Sequence, residues 1–155
     1  MNKIIFILVF FISSVSLSAV TTSDSSTKVD NSDQIKILYE KAEKMIKDES
    51  FEKSIKLLKK LIRREDLSGF RADIYNLLGY SYRKSNKPDL DKSFSTYMMA
   101  LEIDPNHLGA HEYLGELYLM MGKKAKAQEL LSRLELLSGI RSSEYLDLEK
   151  AISNF

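Results

Sequence analysis

The stretch that decides the fold runs from Tyr75 to Leu137, YNLLGYSYRKSNKPDLDKSFSTYMMALEIDPNHLGAHEYLGELYLMMGKKAKAQELLSRLELL. It carries one order of large and small residues twice. The first pass reads Tyr75, Leu78-Gly79, Tyr82, then Ser93, Tyr97, Ala100 and Pro105. The second reads His111, Leu114-Gly115, Tyr118, then Gly122, Ala127, Leu131 and Leu134. The two Leu-Gly pairs stand 36 residues apart, and each glycine is followed three residues later by Tyr. Glycine weakens a helix, so its return at a fixed place needs a reason. The reason here is close approach: Gly79 and Ala100 are small where paired helices must touch, and Tyr75 and Tyr82 fill the space between neighbouring hairpins.

This pattern resembles the tetratricopeptide repeat (TPR) family, whose motif is a bulky residue, Leu-Gly, Tyr, Ala, an aromatic, Ala and Pro over about 34 residues. The fold class that follows is all-α: a TPR helical-hairpin solenoid of three repeats with a C-terminal capping helix. The repeats are bounded at about 35–68, 72–107 and 108–141, the capping helix at 142–153, and the whole domain at 34–155.

The first repeat is divergent. Ile35, Leu38, Tyr39, Ala42, Met45 and Ile46 have helical spacing, with Ser32 or Asp33 as N-cap. Lys41-Ala42 stands where Leu-Gly would be, and Ser54 where the small Ala would be. A second helix is expected from Phe51 to Arg64, with Ser68-Gly69 closing the hairpin through a left-handed cap. The turn of the second repeat, Ser85 to Asp89, is about two residues longer than the motif, and Pro88-Asp89 supplies turn chemistry and a helix start. Asp104-Pro105 closes that repeat, Gly122 makes the next turn, and Gly139 stops the helix after it. Ser142 then caps a short helix with Tyr145, Leu146, Leu148 and Ile152 on its apolar side. A solenoid needs such a cap, because its last repeat otherwise leaves an apolar face in water.

Ahead of the repeats, Met1 to Ala19 has a basic start at Lys3, an apolar run from Ile4 to Ile12, and a small-residue tract. That is the order of a secretory signal peptide (1–19), with Ser16-Leu17-Ser18 meeting the small-x-small rule and cleavage after Ala19 as the neighbouring option. The apolar run is far shorter than the roughly 20 residues of a spanning helix. Residues 20–33 are Ser/Thr/Asp-rich and read as a flexible polar linker. The expectation is an exported, periplasmic protein, membrane-held only if the N-terminal segment stays uncleaved.

The chain has 155 residues, with 23 Lys+Arg against 22 Asp+Glu, so no global field points to nucleic acid. It has no cysteine, which excludes thiol catalysis, disulfides and Cys-ligated zinc together. Lys53, Lys56, Lys59, Lys60, Arg63 and Arg64 make one helix strongly basic, read here as a solvated outer face rather than a patch for an acidic partner or an anionic membrane. The enzyme motifs fail on context. Gly79-Tyr80-Ser81-Tyr82-Arg83 lacks the closing glycine of a nucleophile elbow, and the two S-x-x-K matches have no companion motifs. No catalytic residue and no cofactor is expected.

His107 and His111 lie four residues apart, near Glu112 and Glu116, and Met98-Met99 with Met120-Met121 offer soft donors. A periplasmic copper or zinc protein is therefore an alternative, although a third ligand is missing and packing is the simpler role for the methionines. A self-associating structural protein is another.

In TPR proteins the first helix of each repeat lines a concave groove that receives a peptide or helix. By position, the resemblance places Lys36, Tyr39, Glu43, Ile46 and Lys47 there from the first repeat. It adds Asp73, Asn76, Tyr80, Arg83 and Lys84 from the second, and Glu112, Glu116, Leu119 and Met120 from the third. The groove so composed is cationic at Arg83-Lys84, acidic at Glu112 and Glu116, with Tyr39, Tyr80 and Leu119 as apolar anchors. One TPR subclass grips a chaperone's C-terminal carboxylate with Lys and Asn where this chain has Tyr39 and Glu43, so that clamp is not expected. The expected role is a non-enzymatic adaptor binding a protein segment of mixed charge.

Overall fold

A computed structural model of the chain describes residues 31–67 and 69–155. The expected signal peptide (1–19) and residues 20–30 of the expected linker lie outside the described residues. Among the described residues seven helices follow one another: α1 (Asn31–Lys47), α2 (Phe51–Leu61), α3 (Arg71–Lys84), α4 (Leu90–Ile103), α5 (Leu108–Met120), α6 (Lys124–Ser138) and α7 (Ser143–Ser153). The fold is an all-α solenoid of the TPR type, and no strand occurs among the described residues. No described helix is long and apolar enough to cross a membrane.

The helix packing fixes the curvature. Each helix packs on its chain neighbour, and α1, α3, α5 and α7 also touch in series, whereas α2, α4 and α6 have no such contacts with one another. A stack drawn together along one side bends toward that side, so the odd-numbered helices form the concave layer. The interior divides into three clusters, of which the middle and last share Tyr118 and Leu130. Ile35, Leu58, Leu61, Leu67 and Ile74 fill the first. Tyr97, Leu114 and Leu117 fill the middle, and Leu119, Ala127, Leu134, Leu148 and Ile152 fill the last.

The repeated glycines mark two tight crossings. A Cβ on Gly79 would stand 2.6 Å from the ring of Tyr97 on α4. A Cβ on Gly115 would meet Leu148 of α7, also at 2.6 Å. The sequence pattern implies such approaches between the two helices of one repeat; at Gly115 the intruder belongs instead to the next hairpin. Turn chemistry follows the expected residues. Asp89 caps α4 by accepting from the Lys92 N–H at 3.0 Å, and Ser142 caps α7 by accepting from the Tyr145 N–H. Gly122, at φ +72°, turns the chain between α5 and α6.

Five local expectations need correction. Ser32 and Asp33 are not caps: α1 is already helical at Asn31, because burial of Ile35 sets the helix register and short polar residues are tolerated in a first turn. The polar linker, expected to reach residue 33, therefore overlaps the helix. The second helix ends at Leu61 rather than Arg64, where the chain turns so that Leu67 enters the core. Gly69 does adopt φ +87°, but it precedes α3 and does not cap α2. Leu146 points away from the core and is exposed, while Leu148 and Ile152 are buried.

Candidate functional site

The most developed site lies in the concave layer where α3, α5 and α7 meet. It is an open cavity of about 430 Å³ whose walls are Tyr80 and Lys84 from α3, Glu112, Tyr113 and Glu116 from α5, and Asp147, Lys150, Ala151 and Asn154 from α7. The floor is aromatic: Tyr80 and Tyr113 pack ring to ring at 4.9 Å, backed by Phe51 at 6.4 Å from Tyr80 and Tyr97 at 6.3 Å from Tyr113.

Arg83 holds this floor from behind. Its place in the repeat predicts a solvent-facing cation of the groove, but only 4% of it is exposed. The long side chain turns inward from α3 instead: the guanidinium sits 5.3 Å from the Tyr80 centroid and 5.6 Å from that of Tyr113. Its Nη1 donates to Glu116 Oε2 at 2.5 Å, tying the second repeat to the third. Nε and Nη2 have no hydrogen-bond partner. Burial opposes the charge, yet Tyr97 and Glu116 outweigh it and the pKa rises.

Glu112 is the site's unmatched acid. Only 7% of it is exposed, and neither a hydrogen bond nor an ion pair satisfies its carboxyl. Burial pushes its pKa up to about 8, helped by the negative charges of Glu116, Asp147 and Glu144 and opposed by Arg83. Burial also raises the Tyr80 and Tyr113 hydroxyls.

Other expected groove residues lie elsewhere or serve structure. Leu119, expected as an apolar anchor, is 6% exposed and packs with Ala127, Leu134 and Leu148. It is core because α6 and α7 close over that face of α5. Asn76 is 6% exposed, and its side-chain amide nitrogen fills the space where a Cβ on Gly109 would come within 3.0 Å. Tyr39, half-buried, packs on Phe70 at 5.6 Å, and burial with neighbouring Glu43 and Asp73 raises its pKa. Tyr39, Glu43 and Asp73 thus stand at the α1 end of the layer, apart from the cavity walls. Tyr80, Lys84, Glu112 and Glu116 are the expected residues that the fold brings together in the cavity.

The histidines do not converge. His107 caps α5: its Nδ1 accepts from the Ala110 N–H at 3.1 Å, which leaves Nε2–H to donate to Asp73 Oδ1 at 3.1 Å. His111 donates from Nε2 to the Pro105 carbonyl at 3.0 Å, and burial lowers its pKa. Both rings are engaged in the frame, and among the described residues no group of three His, Asp or Glu is placed to hold a metal. Of the basic helix, Arg64 is tied to Asp66 at 2.7 Å, while Lys53, Lys56, Lys59, Lys60 and Arg63 are exposed.

Sequence reasoning misses Tyr113 on α5, and it misses Asp147 and Lys150 because it treats α7 only as a lid on the core. A signal exists. Counted from the caps His107 and Ser142, Asp147 holds in α7 the place that Glu112 holds in α5, and Ala151 the place of Glu116. The last helix therefore continues the inner layer and supplies a wall of the site.

The model of the tetratricopeptide repeat matches residues 96–129, which span the end of α4, all of α5 and the start of α6. No curated protein sequence matches the chain. Among solved structures, the Yersinia enterocolitica type III secretion chaperone SycD, in complex with a peptide of the translocator YopD, is similar with a TM-score of 0.63. Identity is 20%, over 79% of this chain and 89% of SycD. PcrH, in complex with the chaperone-binding region of PopB, gives a TM-score of 0.63 at 15% identity, over 79% of this chain and 95% of PcrH. A further SycD structure, described as an alternative dimer, matches equally well at 20% identity. The chain carries a tetratricopeptide repeat and has the fold of a TPR protein.

Proposed function

We propose that the protein is a non-catalytic adaptor that binds a segment of another protein in the concave groove between α3, α5 and α7. The observation that carries this reading is the cavity itself: an aromatic floor with both charge signs on its walls, framed by α5 with α3 packed on one side of it and α7 on the other. Rigid aromatic surface supplies affinity on burial, and the surrounding charges set register and exclude wrong partners. The similar folds of SycD and PcrH were each solved with a segment of a partner protein, a peptide of YopD and the chaperone-binding region of PopB. Those complexes support the same general use here. The one strongly perturbed acid, Glu112, has no hydroxyl partner to activate.

The reading extends to location. Lys3, the apolar run to Ile12 and the small residues before Val20 are the parts of an export signal, so the adaptor works beyond a membrane, in a cell envelope. Fractionation with N-terminal sequencing tests this: a chain beginning near residue 20 in the soluble envelope fraction supports it, and an intact N-terminus in the cytosol overturns it.

The binding role is tested by affinity capture from the native host, comparing wild type with Lys84→Glu/Asp147→Arg. Both side chains are exposed on the cavity wall, so the variant keeps the fold. A protein held by wild type and released by the variant supports the groove. Identical capture by the two baits moves the binding surface elsewhere. A mass that rises with concentration and falls back in the variant would identify a second copy of this chain as the occupant.

A further inference from the structure

We infer that the cavity between α3, α5 and α7 recognises a basic side chain, lysine or arginine, on the bound segment. The inference rests on the groove being the binding site and adds what it selects. Its starting point is the unsatisfied carboxyl of Glu112, more than nine-tenths buried, lining the cavity and lacking any hydrogen bond or ion pair. The Glu112 side chain is largely buried but its oxygens reach the open cavity, so a cation entering from solvent can seat against them and offset the cost of holding the acid there. Asp147 adds a second carboxylate from the opposite wall, exposed and unpaired. Beneath both lie the rings of Tyr80 and Tyr113, whose electron-rich faces attract cations.

The molecule contains its own precedent. Arg83 already occupies the inner side of this floor, with its guanidinium over both rings and one nitrogen on Glu116. The outer side repeats the elements of that arrangement, aromatic faces beside a carboxyl, without the guanidinium. Of the basic groups nearby, Lys84 reaches the Tyr80 ring but pairs with neither Glu112 nor Asp147. Arg83 is committed to Glu116, Lys84 lies 5.9 Å from the Tyr80 centroid, and Lys150 is exposed on the rim without an ion pair. These rim lysines raise the barrier to a cation, so removing them should help a basic guest and hinder an acidic one.

The test uses the full-length protein and small probes: n-butylguanidinium and n-butylammonium chloride, with sodium butyrate as the anionic control, at constant ionic strength and at about pH 9, where Glu112 is ionised. Binding is read as saturable NMR shifts of the Tyr80, Tyr113 and Glu112 side chains. Saturation is expected with one or both cations and not with butyrate, weakened about tenfold in Glu112→Gln and strengthened in Lys84→Ala/Lys150→Ala. Asp147→Asn, on an exposed residue, provides a second weakening variant that cannot be dismissed as misfolded. Saturation by butyrate alone, no saturation by either cation, or unchanged affinity in both acid variants would overturn the inference. The adaptor reading fails separately. If a captured partner needs the groove yet binds unchanged when its basic residues are replaced, the adaptor stands and the cation site does not.

Discussion

Replacing Glu112 by Gln should stabilise the protein near pH 8 and remove much of its loss of stability between pH 5 and 8. The folded-state pKa of this carboxyl rises from 4.5 to about 8, first through burial and then through Glu116, Asp147 and Glu144. Below pH 4.5 the group is protonated in folded and unfolded chains alike, so its contribution is fully present. As pH climbs toward 8 the unfolded chain ionises and the folded chain resists, and stability is lost through that window. The rise from 4.5 to about 8, at about 1.4 kcal/mol per unit, caps the loss at about 5 kcal/mol. Water in the open cavity solvates the carboxylate in part, so a loss of about 2 kcal/mol is expected. Gln has nearly the same shape and no proton to lose. Buried His111 acts in the opposite sense, since its lowered pKa costs the folded chain stability at low pH, a cost relieved as pH rises to 6.5, but it is common to both proteins and cancels in the difference. Urea unfolding by circular dichroism at pH 5, 6.5 and 8 measures it. With an m-value of about 2 kcal/mol/M, the gap between variant and wild-type midpoints should widen by about 1 M from pH 5 to 8. Parallel midpoints across that range would refute the reasoning and show Glu112 to be solvated in the folded chain.

Two further perturbations follow from the same packing. Arg83→Ala should cost about 3 kcal/mol in urea unfolding, because it empties a buried volume and strips Glu116 of its partner, whereas Arg83→Met should cost less than half of that by keeping the volume and removing two unsatisfied donors; equal losses would deny the guanidinium's role as a filler between rings. Gly79→Ala should lower the thermal midpoint although alanine favours helix by about 1 kcal/mol, since its Cβ would stand 2.6 Å from the fully buried Tyr97 ring and overpacking costs about 1–3 kcal/mol. Tyr97→Leu added to that variant should recover part of the loss.

Periodicity alone makes the solenoid legible. The Leu-Gly-x-x-Tyr pairs, Pro105 and the caps at Asp89 and Ser142 act through local geometry, which depends only on residues a few positions away. Hence the hairpins of the second and third repeats are readable from residue order. Function-bearing geometry is less so. Position within a repeat selects Tyr80, Lys84, Glu112 and Glu116, which line the cavity. It fails at Arg83 and Leu119, which occupy equivalent places but are buried. What buries them is tertiary: the Tyr80–Tyr113 pair draws Arg83 inward toward Glu116, and α6 and α7 close over Leu119.

The residue order by itself determined that the chain is helical, that its helices pair and stack, and which turns begin and end them, because hydrophobic period and turn chemistry are properties of short stretches. Only the tertiary structure decided which charges reach solvent, which are spent inside, and that the last helix is a wall of the site as well as a cap. Those outcomes depend on the distance between residues some 30 positions apart in the chain, Arg83 to Glu116 and Glu112 to Asp147, and on the burial their packing imposes.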